Sequence, residues 1–146
     1  MKICFTGDVF LGGDLNHKSC KNLVDVDMFN KADIRIINLE QPISNNDYIA
    51  NKGTLYTDSF AISQLNDLKV NAVNFANNHI QDKGLEGIEE TINHLKDSKI
   101  CYFGGGKNIT DAEKFYWLND DVALLGYCDF GKPYLNQITV ATDGSP

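Results

Sequence analysis

The chain lacks most of the features that would place it in a specialised class of proteins. Its four cysteines form no Cys-x-x-Cys pair, and it has three prolines and one tryptophan in 146 residues. No apolar run is long enough to span a bilayer. Basic residues are also scarce, since 13 lysines and arginines stand against 20 acidic residues and give a net charge of -7. These shortages disfavour a membrane span and a surface that binds nucleic acid.

The cysteines are widely spaced, at Cys4, Cys20, Cys101 and Cys128. Three of them lie in or beside apolar, strand-like segments, where a thiol usually packs as a small hydrophobic group. We therefore expect free thiols and a reducing compartment rather than disulfides or a zinc site. Met1 and Lys2 lead directly into an apolar run, without the stretch typical of a signal peptide. We expect a cytoplasmic chain, and leave open whether a longer parent protein is attached to a membrane.

Short apolar runs alternate with helical patterns along the chain, and the hydrophobic share of 42% fits one folded domain over residues 1–146. The predicted strands are 2–9, 34–37, 70–75, 100–103 and 122–127, with 115–118 as a hairpin partner of the last. Helices are predicted around 23–29, at 60–68 after Ser59 as cap, from about 84 to 96 with Leu85 on its apolar face, and from Thr110. Strands separated by helices imply an α/β fold with a largely parallel sheet. The long polar loop 43–58 is predicted to be functional or mobile.

Polar side chains follow three of the predicted strands, at the point where each strand ends. Asp8 follows the apolar residues 3–5 near the end of the first strand, Asn38 and Glu40 follow the second strand, and Asn78 and His79 follow the third. The carboxyl ends of parallel strands meet at one edge of a sheet, where ligands of open α/β folds bind. Carboxylate, amide and imidazole groups suit metal ligation or the stabilisation of a transition state. The sequence therefore predicts a site at this edge.

Each of these residues also has an ordinary structural explanation. Asp8 after Gly7 is equally typical of a turn cap, and a lone histidine is more often a simple hydrogen-bonding residue. Asp82, three residues after His79, can orient the imidazole and can also cap the helix that begins near Gly84. A functional site is better supported by the three strand ends together than by any one residue, because the predicted architecture brings them to one edge.

The run Gly104-Gly105-Gly106-Lys107 has some likeness to a phosphate-binding loop. Lys107 is followed by Asn108, which fails the GxxxxGK[ST] spacing. A tight turn from strand to helix explains the glycines and is the favoured interpretation. We still assign Gly105 and Gly106 to substrate binding, together with Asn38, because backbone amides at such a turn can meet an anionic group.

Several segments, in order over nearly the whole chain, resemble the CapA-type capsule-biosynthesis proteins. They are Gly7-Asp8-Val9-Phe10-Leu11-Gly12, Asn38-Leu39-Glu40-Gln41-Pro42, and Ala76-Asn77-Asn78-His79 with Asp82 and Gly84. The resemblance implies a branch of the calcineurin-like metallophosphoesterases, with a four-layer α/β/β/α fold and a two-metal site. It also implies a role in capsule or poly-γ-glutamate biosynthesis.

The resemblance implies roles for individual residues. Asp8, Glu40 and Asn78 would be metal ligands for one or two divalent ions (Mn, Mg or Zn), and His79 would act near the scissile group. Asp82 joins His79 in the predicted catalytic pair. The sequence departs from the wider superfamily at Phe10, where an Asp-x-His motif would place a ligand, and at Glu40, where aspartate is usual.

The His-Trp-Gly and Gly-His-x-His-type segments that complete the family's site do not occur here. We therefore expect the N-terminal portion of a longer domain, weak or inactive alone, with self-association through an uncovered sheet edge. The expected substrate is an anionic small molecule or polymer. Two alternatives stay open: a non-catalytic assembly component, and a phosphate- or nucleotide-binding module at the Gly104 turn.

Overall fold

The computed structural model describes residues 1–129 and 142–143, and places four parallel strands in one sheet of order β1-β2-β3-β4. These strands are β1 Ile3–Val9, β2 Ile34–Leu39, β3 Ala72–Asn74 and β4 Cys101–Phe103. The helices are α1 Asp27–Asn30, α2 Phe60–Asp67, α3 Gly84–Asp97 and α4 Ile109–Ala112. Strands β5 Tyr116–Trp117 and β6 Ala123–Leu124 form a separate antiparallel pair. The predicted α/β class with a parallel sheet and flanking helices is confirmed, and it is consistent with the N-terminal half of a metallophosphoesterase-like fold.

The sheet buries two apolar faces because successive side chains of a strand point to opposite sides. Ile37 and Val73, which pair across β2 and β3, join the larger core under the helices. Ile36 and Ala72, one residue earlier in each strand, join a smaller cluster with Leu124 of the β5–β6 pair. The hairpin predicted from the sequence therefore covers part of the second face.

That second face is covered incompletely. Phe5 of the outer strand β1 is 59% exposed, and Trp117 and Tyr127 are also exposed. Self-association through such an uncovered edge stays a prediction. Within the described ranges, no helix has the length and apolar character needed to cross a membrane.

Helix α3 packs on the core through the stripe expected from its sequence, with one exception. Ile88, Ile92 and Leu95 are buried, but Leu85 in the first turn is 45% exposed. Thr91 is buried instead, and its hydroxyl accepts a hydrogen bond from the Ile43 N–H at 2.8 Å. The apolar face of α3 therefore begins one turn later than predicted.

The hydrogen bonds that cap two helices are not made by the predicted side chains. Ser59 stands at the N-cap position of α2 as predicted, but its side chain makes no cap bond, and Asp58 Oδ1 accepts from the Phe60 N–H at 2.8 Å. The side chain of Asn108, rather than Thr110, caps α4 by accepting from the Asp111 N–H at 3.0 Å. Both changes occur because a carboxylate or amide oxygen earlier in the chain reaches the free N–H groups of the helix.

The loop 43–58 is anchored to the rest of the domain. The Ser44 N–H donates to the Thr57 carbonyl at 2.8 Å, and both residues are buried. The Ala50 N–H donates to the Asp82 carbonyl at 3.0 Å. The first bond joins the two ends of the loop, and the second holds its middle against the segment that carries His79 and Asp82, where the predicted site lies.

Candidate functional site

A bulge near the end of β1 brings the first two predicted ligands together. The pairing of β1 with β2 shifts register between Phe5 and Asp8, after which Asp8 pairs with Asn38. The Asn38 Nδ2 group donates to Asp8 Oδ1 at 2.6 Å and to Glu40 Oε2 at 2.7 Å. Two carboxylates thus converge on one amide at the carboxyl edge of the sheet.

The nearby carboxylates change the pKa of Glu40. Burial raises the pKa of the Glu40 carboxyl, and the negative charge and hydrogen bonding of Asp8 raise it further. The charge of Asp82 acts in the same direction, whereas His79 opposes the rise. A divalent cation between Asp8 and Glu40 would relieve this repulsion, and hard carboxylate oxygens are ligands that Mg²⁺ and Mn²⁺ prefer. These two residues therefore fit a metal ion as part of its ligand set.

The raised pKa of Glu40 predicts a specific pH dependence of stability in metal-free buffer. The native state holds the Glu40 proton more tightly than the unfolded state, so stability falls as pH rises from the ordinary glutamate pKa through the raised one. Urea denaturation with EDTA, at several pH values across this window, should show wild type losing stability relative to Glu40→Gln. A constant difference between the two proteins would contradict the assignment.

Asn77 connects the end of β2 to the segment that carries His79. Its Nδ2 group donates to the Leu39 carbonyl at 2.9 Å, and its Oδ1 accepts from the N–H groups of His79 and Ile80, both at 3.0 Å. The side chain is buried. Sequence reasoning missed this role, although Asn77 stands in the Ala76-Asn77-Asn78-His79 motif, which was the only signal for it.

His79 contacts Asp82 in a cluster that also includes a buried lysine. Asp82 Oδ2 lies 2.7 Å from His79 Nδ1 and accepts a hydrogen bond from the Leu55 N–H at 2.7 Å. The Lys52 ammonium forms an ion pair with Asp82 Oδ1 and donates to the Asn78 carbonyl at 2.8 Å. Asp82 is fully buried, and the Lys52 side chain is 8% exposed.

The contacts of Asp82 exclude one of the two roles predicted for it, the capping of α3. Helix α3 has Lys83 at its N-cap position and no side-chain cap, so the predicted helix-capping role of Asp82 is wrong. Its carboxylate is used instead by His79, Lys52 and Leu55. Nothing in the sequence pointed to Lys52, which lies in the patternless loop 43–58.

The glycine turn after β4 lies against the sheet in a tightly packed backbone. A Cβ atom at Gly105 would lie 2.7 Å from the Cβ of Phe75, and one at Gly106 would overlap Asp111. The positive φ of Gly104, 77°, fits the tight turn of the favoured interpretation, and close packing explains why Gly105 and Gly106 carry no side chain. Lys107 forms an exposed ion pair with Glu89 at 2.8 Å. Contact of Gly105 and Gly106 with a substrate stays a prediction.

The segment after β6 lies close to the two carboxylates. Gly126 packs against Gly104 and the side chain of Asn74, where a Cβ atom would overlap both. Burial raises the pKa of the Cys128 thiol, and the charges of Glu40, Asp129 and Asp8 raise it further. Of the cysteines in apolar segments, Cys4 is buried as predicted and Cys101 is half-buried, but Cys128 is exposed overall, so its interpretation as a packed hydrophobic group is wrong. Cys20, which lies in a polar stretch, is buried as well.

The metal ligands predicted from the sequence are brought together in part. Asp8 and Glu40 share the amide of Asn38, whereas the contact seen for Asn78 is made by its backbone carbonyl. Across residues 1–129 and 142–143, no group of three or more histidine, cysteine, aspartate or glutamate side chains is placed to hold a metal ion. The two carboxylates therefore offer fewer ligands than six-coordinate Mg²⁺ requires.

Comparison with known proteins gives one matching family and two similar proteins. The family model described as bacterial capsule synthesis protein PGA_cap matches residues 2–143. The chain is 37% identical over 60 residues to the capsule biosynthesis protein CapA of Bacillus anthracis, covering 39% of this chain and 15% of that protein. It is 26% identical over 138 residues to the PGA biosynthesis protein CapA of Bacillus subtilis (strain 168), covering 86% of this chain and 36% of that protein. The matched region thus spans well under half the length of either relative.

Proposed function

The chain belongs to the bacterial capsule synthesis protein family PGA_cap, and from this membership we propose that it forms the N-terminal part of a metal-dependent, phosphoesterase-type hydrolase of capsule or poly-γ-glutamate biosynthesis. The observation that carries the proposal is the convergence of Asp8 and Glu40 on the amide of Asn38. The pair of His79 and Asp82 near the same sheet edge supports it.

In this proposal Asp8 and Glu40 would hold a divalent ion as part of its ligand set, and Asn78 is a further candidate ligand. Such an ion would polarise a phosphoryl oxygen and would lower the pKa of a coordinated water. The Asn38 amide fixes the relative orientation of the two carboxylates by donating to both. The chain itself thus supplies a negatively charged, preorganised pair of oxygen ligands.

His79 is the proposed group that exchanges a proton with the substrate. The Asp82 carboxylate lies 2.7 Å from Nδ1 and can only accept, so we assign the proton to Nδ1, which leaves Nε2 as the nitrogen available for proton transfer to a leaving oxygen. Lys52 balances the buried charge of Asp82. The imidazole is therefore held in one tautomer and orientation by groups that are themselves fixed.

Hydrolysis of bis(p-nitrophenyl) phosphate tests the proposal. We expect slow, Mn²⁺-dependent turnover that falls by about 100-fold in His79→Ala, the usual range for loss of a general acid or base. His94→Ala is the matched control, since His94 lies on α3 outside the cluster. Turnover that is equal in wild type and His79→Ala would contradict the assignment of His79.

A non-catalytic assembly role is the second candidate. It is favoured by the small ligand set, since no third histidine, cysteine or acidic side chain joins Asp8 and Glu40 within the described part of the chain. Metal retention without hydrolysis of any phosphoester would support this role. The phosphate-binding alternative at the Gly104 turn has less support, because Lys107 is already paired with Glu89.

A further inference from the structure

One buried carboxylate oxygen near the candidate site is balanced by a lysine from a distant loop. Asp82 is fully buried, and its Oδ1 atom has no hydrogen-bond partner among the residues that the structure describes. Its charge is met by the ammonium of Lys52, with which Oδ1 forms an ion pair. Lys52 belongs to the loop 43–58, so this loop carries the counter-charge of a buried group of the site.

The same loop contacts the site segment at further points. The Ala50 N–H donates to the Asp82 carbonyl at 3.0 Å, and the Leu55 N–H donates to Asp82 Oδ2 at 2.7 Å. Lys52 also donates to the Asn78 carbonyl at 2.8 Å. We call residues 48–55 the flap. These contacts of the flap converge on Asp82 and on the backbone of Asn78.

The flap has an exposed outer side and a hydrogen-bonded base. Tyr48 and Ile49 are 56% and 55% exposed. At the base, the Ser44 N–H donates to the Thr57 carbonyl at 2.8 Å, and the Thr57 N–H donates to the Pro42 carbonyl at 3.2 Å. A segment with few buried apolar groups and a fixed base can open locally while the rest of the domain stays folded.

The ion pair that closes the flap contributes a small net free energy. The Lys52 side chain is 8% exposed and that of Asp82 is fully buried, so closure takes both charges out of water. The cost of this desolvation offsets much of the attraction between the two charges. Opening returns both charges to water together, and therefore costs far less than removing one partner from the closed state.

His79 depends on the same carboxylate as the flap. Asp82 Oδ2 lies 2.7 Å from His79 Nδ1 and also accepts from the Leu55 N–H. The Lys52 ammonium lies 3.4 Å from the same ring nitrogen. Opening of the flap would remove the partners that fix both carboxylate oxygens. The Asp82 carboxylate could then rotate, and the imidazole would lose its fixed partner.

From these contacts we propose that the flap opens and closes as one unit on its Ser44–Thr57 base, and that its closure orients His79 through Asp82. Asp82 is then both the latch of the flap and a positioning residue for the imidazole. The consequence for catalysis rests on the proposed function, because it requires His79 to exchange a proton with a substrate. The motion itself requires neither a metal ion nor hydrolysis.

Native-state hydrogen exchange of the ¹⁵N-labelled chain tests the motion, in EDTA and without substrate. The Ala50 and Leu55 amides are compared with the Phe75 amide, which donates to the Phe103 carbonyl at 2.8 Å at the end of the sheet. We expect Ala50 and Leu55 to share one free energy of opening. It should be lower than that of Phe75 and should change little with low concentrations of urea, because a local opening exposes little surface.

The contrary result is equally specific. If the Ala50 and Leu55 amides follow Phe75 in free energy and in urea dependence, the flap opens only when the domain unfolds, and the proposal is overturned. Different free energies of opening at Ala50 and Leu55 would also overturn it, because the flap would not move as one unit. Neither readout uses turnover, so a failure of the proposed hydrolase activity leaves this test intact.

Lys52→Met tests the coupling of the flap to His79. We expect exchange at Ala50 and Leu55 to become at least about tenfold faster, because the closed state then buries the Asp82 charge without its partner. The two ring ¹⁵N signals of His79, recorded above the ordinary histidine pKa, should move toward each other as the fixed tautomer is lost. Unchanged ring signals together with faster exchange at the flap would overturn the proposal.

Lys31→Met is the matched control, because Lys31 forms an exposed ion pair with Asp27. We expect it to leave the exchange of the flap amides and the His79 ring signals as they are in wild type. Equal changes in both variants would show a general response to loss of a lysine, and would contradict the latch. If Lys52→Met does not fold, the urea series on wild type decides the question alone.

Discussion

Replacing Asp82 with alanine is expected to lower the free energy of unfolding by about 3–5 kcal/mol, the usual cost of removing one partner from a buried ion pair. The change leaves the buried ammonium of Lys52 without its carboxylate. It also removes the acceptor for the Leu55 N–H and the partner of His79 Nδ1. Urea denaturation followed by circular dichroism measures the effect.

A double-mutant cycle separates the ion pair from the other contacts of Asp82. Lys52→Met together with Asp82→Ala should cost less than the sum of the two single changes, because the double variant buries no unpaired charge. Asp27→Ala is the matched control, since its pair with Lys31 is exposed and should be worth about 0.5 kcal/mol or less. A loss for Asp82→Ala as small as this control would contradict the account.

Asn77→Ala is expected to lower the free energy of unfolding by roughly 3 kcal/mol, because buried backbone groups that lose a partner cost about 1–3 kcal/mol each. The change removes the bonds to the Leu39 carbonyl and to the N–H groups of His79 and Ile80. It also frees the backbone of His79, so the imidazole should lose its fixed position. Urea denaturation and the ¹H–¹⁵N spectrum of His79 report the two effects.

Asn78→Ala is the matched control for this prediction. Asn78 is the next residue, but its side chain makes none of the three bonds that Asn77 makes. We expect a small effect on stability and, if Asn78 is a ligand, weaker metal binding. Equal losses of stability in the two variants would show that the segment is sensitive to any change, and would remove the special role given to Asn77.

The sequence predicts the part of the site that follows from parallel strands. Asp8, Asn38 and Glu40 come together because β1 and β2 are adjacent and parallel, and their carboxyl ends therefore share an edge. The same reasoning predicts the sheet, α3 and the hairpin, since each depends on local apolar periodicity. The local apolar pattern and the pairing of adjacent strands are sufficient to predict these features.

The features that were missed depend on contacts between distant segments. Lys52 lies in a loop without periodicity, and its importance appears only when the fold places it against Asp82. The capping side chains of α2 and α4, Asp58 and Asn108, were not predicted. Several polar residues precede each helix, and the local sequence does not show which of them bonds to the helix N–H groups.

Bound metal per chain is the most direct test of the central claim that Asp8 and Glu40 bind a divalent cation. The protein is loaded with Mn²⁺ or Zn²⁺, desalted and analysed by elemental mass spectrometry, alongside Asp8→Ala, Glu40→Gln and the exposed-aspartate control Asp14→Ala. The account predicts stoichiometric metal in wild type and in Asp14→Ala, and its loss in Asp8→Ala and Glu40→Gln. Equal retention in all four proteins, or none in any of them, would contradict it.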